Sequence, residues 1–330
     1  MDNLRREMLE YRSQAFAVNT KKTYACHLRT YYTFCDKMGI PPVPIDDKTV
    51  TLYATYLART HKPASVRQYL CVIGLLHKEM GLSNPSKDSW LLTSTLRGID
   101  RIKGCEVKRK KPITADVLLN IRSKLNLDQP VDAIFWGACL TLFYGLLRKS
   151  NLFPDRAIDF DAAKQLTREA FAISGNALSI AIKWSKTIQL KEKTIVINLP
   201  CIYPHPLCPV TAILKAFKLN AGAPSAQAFP LSGPEFNRRV KVLAGPEFSS
   251  HSFRRGGATH ALSCGIPAAV IKCFGDWKSD VFYNYLDQIP MSTLEHYRFI
   301  FAKGLPSSNW FFWDRKFGLL FSWIGCKYSL

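Results

Sequence analysis

The sequence lacks several features that mark common classes of protein. Its ten cysteines include no C-x-x-C pair, the spacing typical of zinc ribbons and thioredoxin-like redox sites. Its most apolar run near the C-terminal end, FGLLFSWIG, is far shorter than the roughly 20 residues of a membrane-spanning helix. The opening residues MDNLRREMLEYRS hold no apolar segment of the kind that a signal peptide needs. We therefore expect an intracellular protein with free thiols in a reducing compartment.

Acidic residues are also scarce. The chain has 25 Asp and Glu against 45 Lys and Arg, which gives a formal net charge of +20. An excess of this size destabilises a compact chain through self-repulsion unless a polyanion binds to it, and nucleic acid is the polyanion that we expect. A basic protein that binds anions only loosely is the alternative. The hydrophobic fraction of 47% argues against a disordered chain.

Metal-binding patterns are absent as well. No paired-carboxylate metal box is apparent in the sequence. The segment CIYPHPLCPV brings Cys201, His205 and Cys208 close together, but this spacing matches no common zinc pattern. A proline-rich turn is the better interpretation of this segment. We predict neither a metal nor a cofactor.

Helical periodicity fills the first part of the chain. We predict a helical N-terminal domain over residues 1–103. In the stretch NTKKTYACHLRTYYTFCDKMG, apolar and aromatic residues recur at helical spacing. Asn19 or Thr20 is the expected N-cap of this helix, and Gly39 is its expected end.

A basic segment without periodicity follows over residues 104–114, and we interpret it as a linker. It contains Gly and Pro and the run of Lys108, Arg109 and Lys110. Such a run fits a nuclear import signal, a strap across a phosphate backbone or a solvated linker. We predict that these three residues contact DNA.

Residues 115–330 form the predicted second domain. Most of it has helical patterns, but ALSIAIKWSKTIQLKEKTIVINLP changes period, with alternating apolar residues on both sides of a polar turn. Alternation of this kind indicates a β-hairpin. The predicted fold class is therefore mainly α, with a small β-sheet in the second domain.

Polar residues in the second domain lie where a simple core would not place them. Arg148 ends a nearly unbroken apolar helix, so its guanidinium needs a partner. His251 and Arg254 are separated by three positions and share one helix face. Trp277 follows a tight Gly-Asp turn, and Tyr285 comes eight residues later. Two arginines, a histidine and a tyrosine together suit a phosphate-directed active site.

These residues resemble the tyrosine recombinase (phage-integrase-like) family, and within it the eukaryotic DIRS-like and Crypton-like mobile-element recombinases. The resemblance covers residues 15–300 and implies a helical SAM-like core-binding domain joined to an integrase-type catalytic domain. In chain order, the segments that carry it are GLLRKSNL at Arg148, WSKT at Lys186, HSFRRGGATHA from His251, FGDWKSD at Trp277 and YNYL at Tyr285.

The resemblance also implies a role for each residue. Tyr285 would attack a DNA phosphate to form a 3′-phosphotyrosyl link, and Arg148 and Arg254 would stabilise the charge that develops on the phosphate. His251 would act as the base and Lys186 as the acid that protonates the 5′-oxygen, while Trp277 would bind the phosphate or pack against the nucleophile segment. Alternatives are Lys183, Lys191 and Lys193 for the acid and Tyr283 for the nucleophile.

Partners follow from the same resemblance. We expect double-stranded DNA as substrate, a homo-tetramer on two DNA sites, and a nuclear protein if the source is eukaryotic. The predicted DNA contacts outside the linker are Lys21, Lys22, Arg67 and Arg255, the last of which could instead face the adjacent domain. Many family members have an acidic residue where this chain has Asn151, which leaves two alternatives open: a decayed recombinase that only binds DNA, and a type IB topoisomerase-like enzyme.

Overall fold

The computed structural model describes residues 1–104, 106, 109–174, 177–185, 188 and 193–277. Over these residues the protein is mostly helical with one three-stranded antiparallel sheet, which confirms the predicted fold class. The chain divides into two compact units, Met1–Lys108 and Arg109–Leu330. Within the described parts, no helix is long and apolar enough to cross a membrane.

The first unit is helical and contains an aromatic core, to which its first helix contributes no buried residue. The helices are α1 Asp2–Ser13, α2 Val18–Met38, α3 Asp47–Ala58, α4 Pro63–Glu79 and α5 Trp90–Lys103. Tyr31 and Tyr53 are fully buried there, with ring centroids 5.1 Å apart. Helix α2 ends at the predicted Gly39, whose φ of 65° suits a glycine. It begins earlier than predicted, with Ala17 as its N-cap, and the two polar residues that we expected to cap it lie inside its first turn.

The second unit contains the remaining helices and the sheet. The helices are α6 Ala115–Ser123, α7 Pro130–Tyr144, α8 Lys149–Leu152, α9 Pro209–Leu219, α10 Gly233–Ala244, α11 Ser250–Ser263 and α12 Ala268–Phe274. Helix α7 is buried continuously from Ala133 to Phe143, so it forms the centre of this core. It packs against α9 on one side and α11 on another.

The sheet has one strand more than the predicted hairpin. Strands β1 Phe171–Ser174, β2 Ala177–Ile182 and β3 Ile195–Pro200 pair in that order, and both pairings are antiparallel. Alternate residues of β2 are buried against the core, as the sequence pattern predicts. Because β2 and β3 are antiparallel, with Ile182 opposite Ile195, the end of β2 and the start of β3 lie at the same end of the sheet.

Helix α11 lies unusually close to α7. A Cβ atom on Gly257 would come within 2.0 Å of the Phe143 carbonyl oxygen, so only glycine permits this approach. The segment before α6 is also held against α11, because the Ile113 N–H donates to the Ser252 carbonyl at 3.0 Å. Close packing on both sides fixes the position of the polar residues that α11 carries.

Candidate active site

Arg148 lies at a sharp turn after α7. The helix ends at Tyr144, four residues before the predicted end, because Leu146 takes a φ of 50° and reverses the chain. Arg148 is instead the N-cap residue of α8. Its side chain is 23% exposed, and its guanidinium Nη2 donates to the Asp276 carbonyl oxygen at 3.4 Å. The expectation of a helix-ending arginine is therefore wrong in detail, whereas the expected need for a partner is met.

Arg254 projects from α11 into a closed environment. It is 2% exposed, and its guanidinium donates to the carbonyl oxygens of Leu146 and Gly275. The plane lies over the Trp277 ring, with 3.8 Å from Cζ to the ring centroid. Carbonyl oxygens and an indole face both stabilise a buried cation, so this arginine is held rigidly.

Trp277 is itself nearly buried, with 9% of its surface exposed. It forms a small apolar cluster with Leu146, Ala258 and Ile271. The indole therefore packs beneath one of the two arginines and fixes its plane. Whether its N–H also contacts a phosphate stays a prediction.

His251 lies in the first turn of α11, one turn before Arg254. The residue is exposed, but its ring is surrounded by cationic side chains. The pKa of His251 lies below its usual value, because partial desolvation disfavours the charged ring and because Arg254, Arg255 and Arg148 repel an added proton. The neutral ring, which can accept a proton, is the stable form near pH 7.

Asn151 ties the Arg148 turn to the sheet. Its Oδ1 accepts from the Arg148 backbone N–H at 3.0 Å, and its Nδ2 donates to the Trp184 carbonyl oxygen at 2.9 Å. The residue is 3% exposed. A carboxylate at this position could make the first bond but has no proton for the second. The amide is therefore suited to its surroundings.

Asp276 is the residue of this site that the sequence patterns did not single out. Its carboxylate accepts from Ser185 Oγ at 3.2 Å and from Lys193 Nζ at 3.5 Å, and lies 4.0 Å from Arg148 Nη1. The side chain is 10% exposed. In the sequence Asp276 was interpreted only as part of a Gly-Asp turn, and its partners are distant along the chain.

The remaining predicted catalytic residues lie outside the described residues. These are Lys186 and Tyr285, together with Tyr283 and Lys191 among the alternatives. Lys183 and Lys193 are described, and Lys193 reaches the site through Asp276. Ser185, directly before Lys186, also contacts Asp276. The roles of the lysine and the tyrosine stay predictions.

The predicted DNA contacts have different surroundings. Lys21 and Lys22 are exposed in the first turn of α2. Arg67 is exposed but forms a two-bond ion pair with Asp100, at 3.0 and 2.5 Å. Such a pair must be broken, or shared, before the guanidinium meets a phosphate.

The other predicted DNA contacts, in the linker and on α11, also differ in exposure and in their protein partners. Arg109 and Lys110 are exposed, and Lys110 Nζ donates to the Pro246 carbonyl oxygen at 2.7 Å. Arg255 is buried and donates to the Lys110 carbonyl oxygen, so its described contact is within the protein. Lys108 lies outside the described residues. DNA binding by any of these residues stays a prediction.

No group of three or more metal-ligating side chains that could hold an ion occurs in the described parts of the chain. Cys201 and Cys208 approach each other, with 3.9 Å between the sulfur atoms. The ring Nδ1 of His205 instead accepts from the Leu207 backbone N–H at 3.2 Å. This geometry is that of a folded turn.

Comparison with known structures identifies the fold. No protein-family model matches the sequence, and no curated protein matches it. A lambda integrase dimer bound to a COC′ core site matches with a TM-score of 0.55 and 17% identity, covering 86% of this chain and 94% of that one. The Tn1549 transposon integrase in complex with circular intermediate DNA matches with a TM-score of 0.57 and 13% identity, covering 90% and 98%. The chain has the fold of these integrases.

A lambda integrase tetramer bound to a Holliday junction has the same integrase fold, with a TM-score of 0.57 and 16% identity over 87% of this chain and 79% of that one. The three structures are of two integrases, from lambda and from the Tn1549 transposon, each bound to a core site, circular intermediate DNA or a Holliday junction. At these identities the similarity establishes the integrase fold, while the chemistry of this chain has to be argued from its own residues.

Proposed function

We propose that this protein is a site-specific DNA recombinase that cleaves and rejoins strands through a 3′-phosphotyrosyl intermediate. The observation that carries the proposal is the turn Gly275–Trp277, which contacts both arginines. Gly275 accepts from Arg254, Asp276 accepts from Arg148, and the Trp277 ring lies under Arg254. Two guanidiniums held by one tripeptide, with a neutral histidine beside them, form a suitable receptor for one phosphodiester.

The chemistry assigned to these residues is a transesterification. The Tyr285 hydroxyl attacks phosphorus, the bond to the 5′-oxygen breaks, and the tyrosine becomes joined to the 3′-phosphate. Negative charge grows on the non-bridging oxygens, where Arg148 and Arg254 stabilise it; losing one such donor costs about 10²–10³ in rate. A tyrosine with a pKa near ~10 needs a base, and neutral His251 supplies one. Lys186 returns a proton to the leaving oxygen.

The intermediate retains the energy of the broken bond, so a second strand can be joined without ATP. The arginines and the lysine neutralise the phosphate, which leaves no step in this scheme that calls for a metal. Integration of a mobile element, a nuclear location and a tetramer on two sites complete the proposal. The tetrameric lambda integrase on a Holliday junction, which has the same fold, supports that assembly.

The test is a suicide duplex that carries a nick near candidate sites from DNA flanking the gene. The protein is incubated with it in EDTA, without ATP, and a covalent adduct is detected by denaturing electrophoresis. We expect an adduct with the wild type and with Tyr283→Phe, and none with Tyr285→Phe. Because Tyr283 and Tyr285 lie two positions apart, the Tyr283 variant is a matched control for the loss of a hydroxyl.

The other outcomes separate the alternatives. Binding to every flanking duplex without an adduct would favour a DNA-binding relic and overturn the recombinase. Relaxation of supercoiled plasmid by monomers, with no strand exchange between two sites, would favour a topoisomerase-like enzyme.

A further inference from the structure

We propose that Asp276 is a positioning residue, which orients Arg148 and holds the β2–β3 hairpin against the two arginines. The inference rests on the proposed function and deepens it, because it assigns the carboxylate of that site. Asp276 would not touch DNA. It would act through Arg148 and through the hairpin residues Ser185 and Lys193.

The contacts of Asp276 come from three separate parts of the chain. Its backbone carbonyl accepts from Arg148 Nη2 at 3.4 Å, and its Oδ2 lies 4.0 Å from Arg148 Nη1. The same Oδ2 accepts from Ser185, three residues after β2, at 3.2 Å. Oδ1 accepts from Lys193, just before β3, at 3.5 Å. One side chain therefore joins the Arg148 turn to both ends of the hairpin connection.

The conformation of Asp276 indicates that these contacts hold it firmly. Its φ is 51°, in the left-handed region that residues with a Cβ rarely adopt. Such a backbone persists only where the surroundings enforce it, and it occurs often at functional sites. Asp and Asn are the residues that tolerate this region best after glycine. A left-handed turn is what aims both the carbonyl and the carboxylate of this residue toward Arg148.

Asn151 and Asp276 orient different parts of Arg148. Asn151 binds the Arg148 backbone and, through Trp184, the hairpin. It carries no charge, so it cannot balance the guanidinium. Asp276 supplies a negative charge near the guanidinium and also contacts the hairpin. Arg148 is thus fixed at its main chain by an amide and at its guanidinium by a carboxylate.

The hairpin matters because Lys186 directly follows Ser185. A residue that holds Ser185 restricts where the adjoining segment can start. Displacing a reacting group by about 1 Å can cost about 10²-fold in rate. The position of the predicted acid therefore depends on how Asp276 holds Ser185.

The test uses Asp276→Asn, which keeps the size of the side chain, tolerates the left-handed backbone and can still accept from Ser185. Adduct formation is measured on two suicide duplexes, one normal and one with sulfur in place of the 5′-bridging oxygen. Sulfur is a better leaving group and needs no acid. We expect Asp276→Asn to slow cleavage of the normal duplex by about 10²-fold and of the sulfur duplex by less than about tenfold.

Ser185→Ala is the second variant, since it removes one of the two hairpin contacts of Asp276 and leaves its carboxylate, its Lys193 contact and its Arg148 contacts in place. It should show the same difference between the two duplexes, with a smaller reduction on the normal one. Duplex affinity should stay within about twofold of wild type for both variants, because neither group is proposed to touch DNA.

Three results would overturn the inference. Equal reductions in rate on both duplexes would indicate a merely structural role. Wild-type rates on both duplexes would mean that Asp276 orients nothing. Faster cleavage and tighter DNA binding by Asp276→Asn would show that the carboxylate occupies the place of the phosphate. If the wild type itself forms no adduct, the proposed function fails first, and the positioning role with it.

Discussion

At the scale of single residues, the two arginines of the site are held in different ways. Arg254 is buried and its donors are directed at two carbonyl oxygens and an indole face. Arg148 is partly exposed and balanced by a carboxylate. A buried guanidinium that loses its partners is strongly destabilising, so Arg254 supports the fold as well as the proposed chemistry. Arg148 is the more accessible of the two to solvent.

His251 offers a prediction at this scale. In the free protein its ring should titrate below pH 6.5, and Arg148→Gln should raise the pKa, because one of the repelling charges is removed. Since the folded chain binds this proton less tightly than the unfolded chain does, the stability that His251 contributes is lost as the pH falls below about 6.5. The measurement is an NMR titration of the ring, with the signal assigned through His251→Gln. A midpoint above 6.5, or one that Arg148→Gln leaves unchanged, would contradict this electrostatic picture.

At the scale of helices and strands, the sequence correctly predicted features that depend on contacts between neighbouring residues. Gly39 ends α2 as predicted. The alternating residues of β2 face the core. Each of these features is decided within about four residues, which is the range that a sequence pattern covers.

Features that depend on distant contacts were missed. Strand β1 has four residues, too few for a clear alternation, and it exists because β2 pairs with it. Asp276 lies 91 positions from Ser185 and 128 from Arg148, so no local pattern relates them. Arg255 is buried and donates to the Lys110 carbonyl oxygen, 145 positions away, which no local pattern indicates; its contact with DNA stays a prediction. Three-dimensional packing decided all three cases.

The close contact of α11 with α7 can be tested by substituting Gly257. Gly257→Ala should destabilise the protein by about 1–3 kcal/mol or more, because the new methyl group meets the Phe143 carbonyl oxygen and backbone cannot move aside cheaply. Gly98→Ala is the control: that position is in α5, and an added Cβ has no atom within 4 Å. It should be neutral or stabilise by up to about 1 kcal/mol. Thermal unfolding of both variants measures the difference, and similar melting temperatures would show that the helices can separate without cost.

At the scale of the whole molecule, the positive net charge determines how strongly the protein attracts polyanions. A net charge of +20 on 330 residues produces a field that attracts any polyanion, whatever its sequence. Of the five predicted DNA contacts that are described and exposed, Lys21 and Lys22 are adjacent on one helix, whereas Arg67 and Lys110 have protein partners. Long-range attraction and specific contact are therefore separable properties of this protein.

The salt dependence of DNA affinity distinguishes long-range attraction from specific contact. Affinity for duplex DNA should fall linearly with salt on a double-logarithmic plot, and Lys21→Gln with Lys22→Gln should reduce the slope by roughly 0.9 for each phosphate that these lysines neutralise. The matched control is Arg156→Gln with Lys164→Gln, since both residues are paired with acidic neighbours, at 2.7 and 2.6 Å. It removes the same charge and should leave the slope nearly unchanged. Equal slopes for the two double variants would show that net charge alone sets the affinity.

The turn Gly275–Trp277 also limits which amino-acid substitutions the protein can tolerate. A side chain at Gly275 would place its Cβ within 1.7 Å of the Trp277 ring. Asp276 needs both a tolerance for positive φ and a charge, and Trp277 needs a flat face for Arg254. Three neighbouring positions are thus restricted, each for a different reason. A library of random substitutions should be depleted there, whereas exposed Phe274 beside them should accept many replacements.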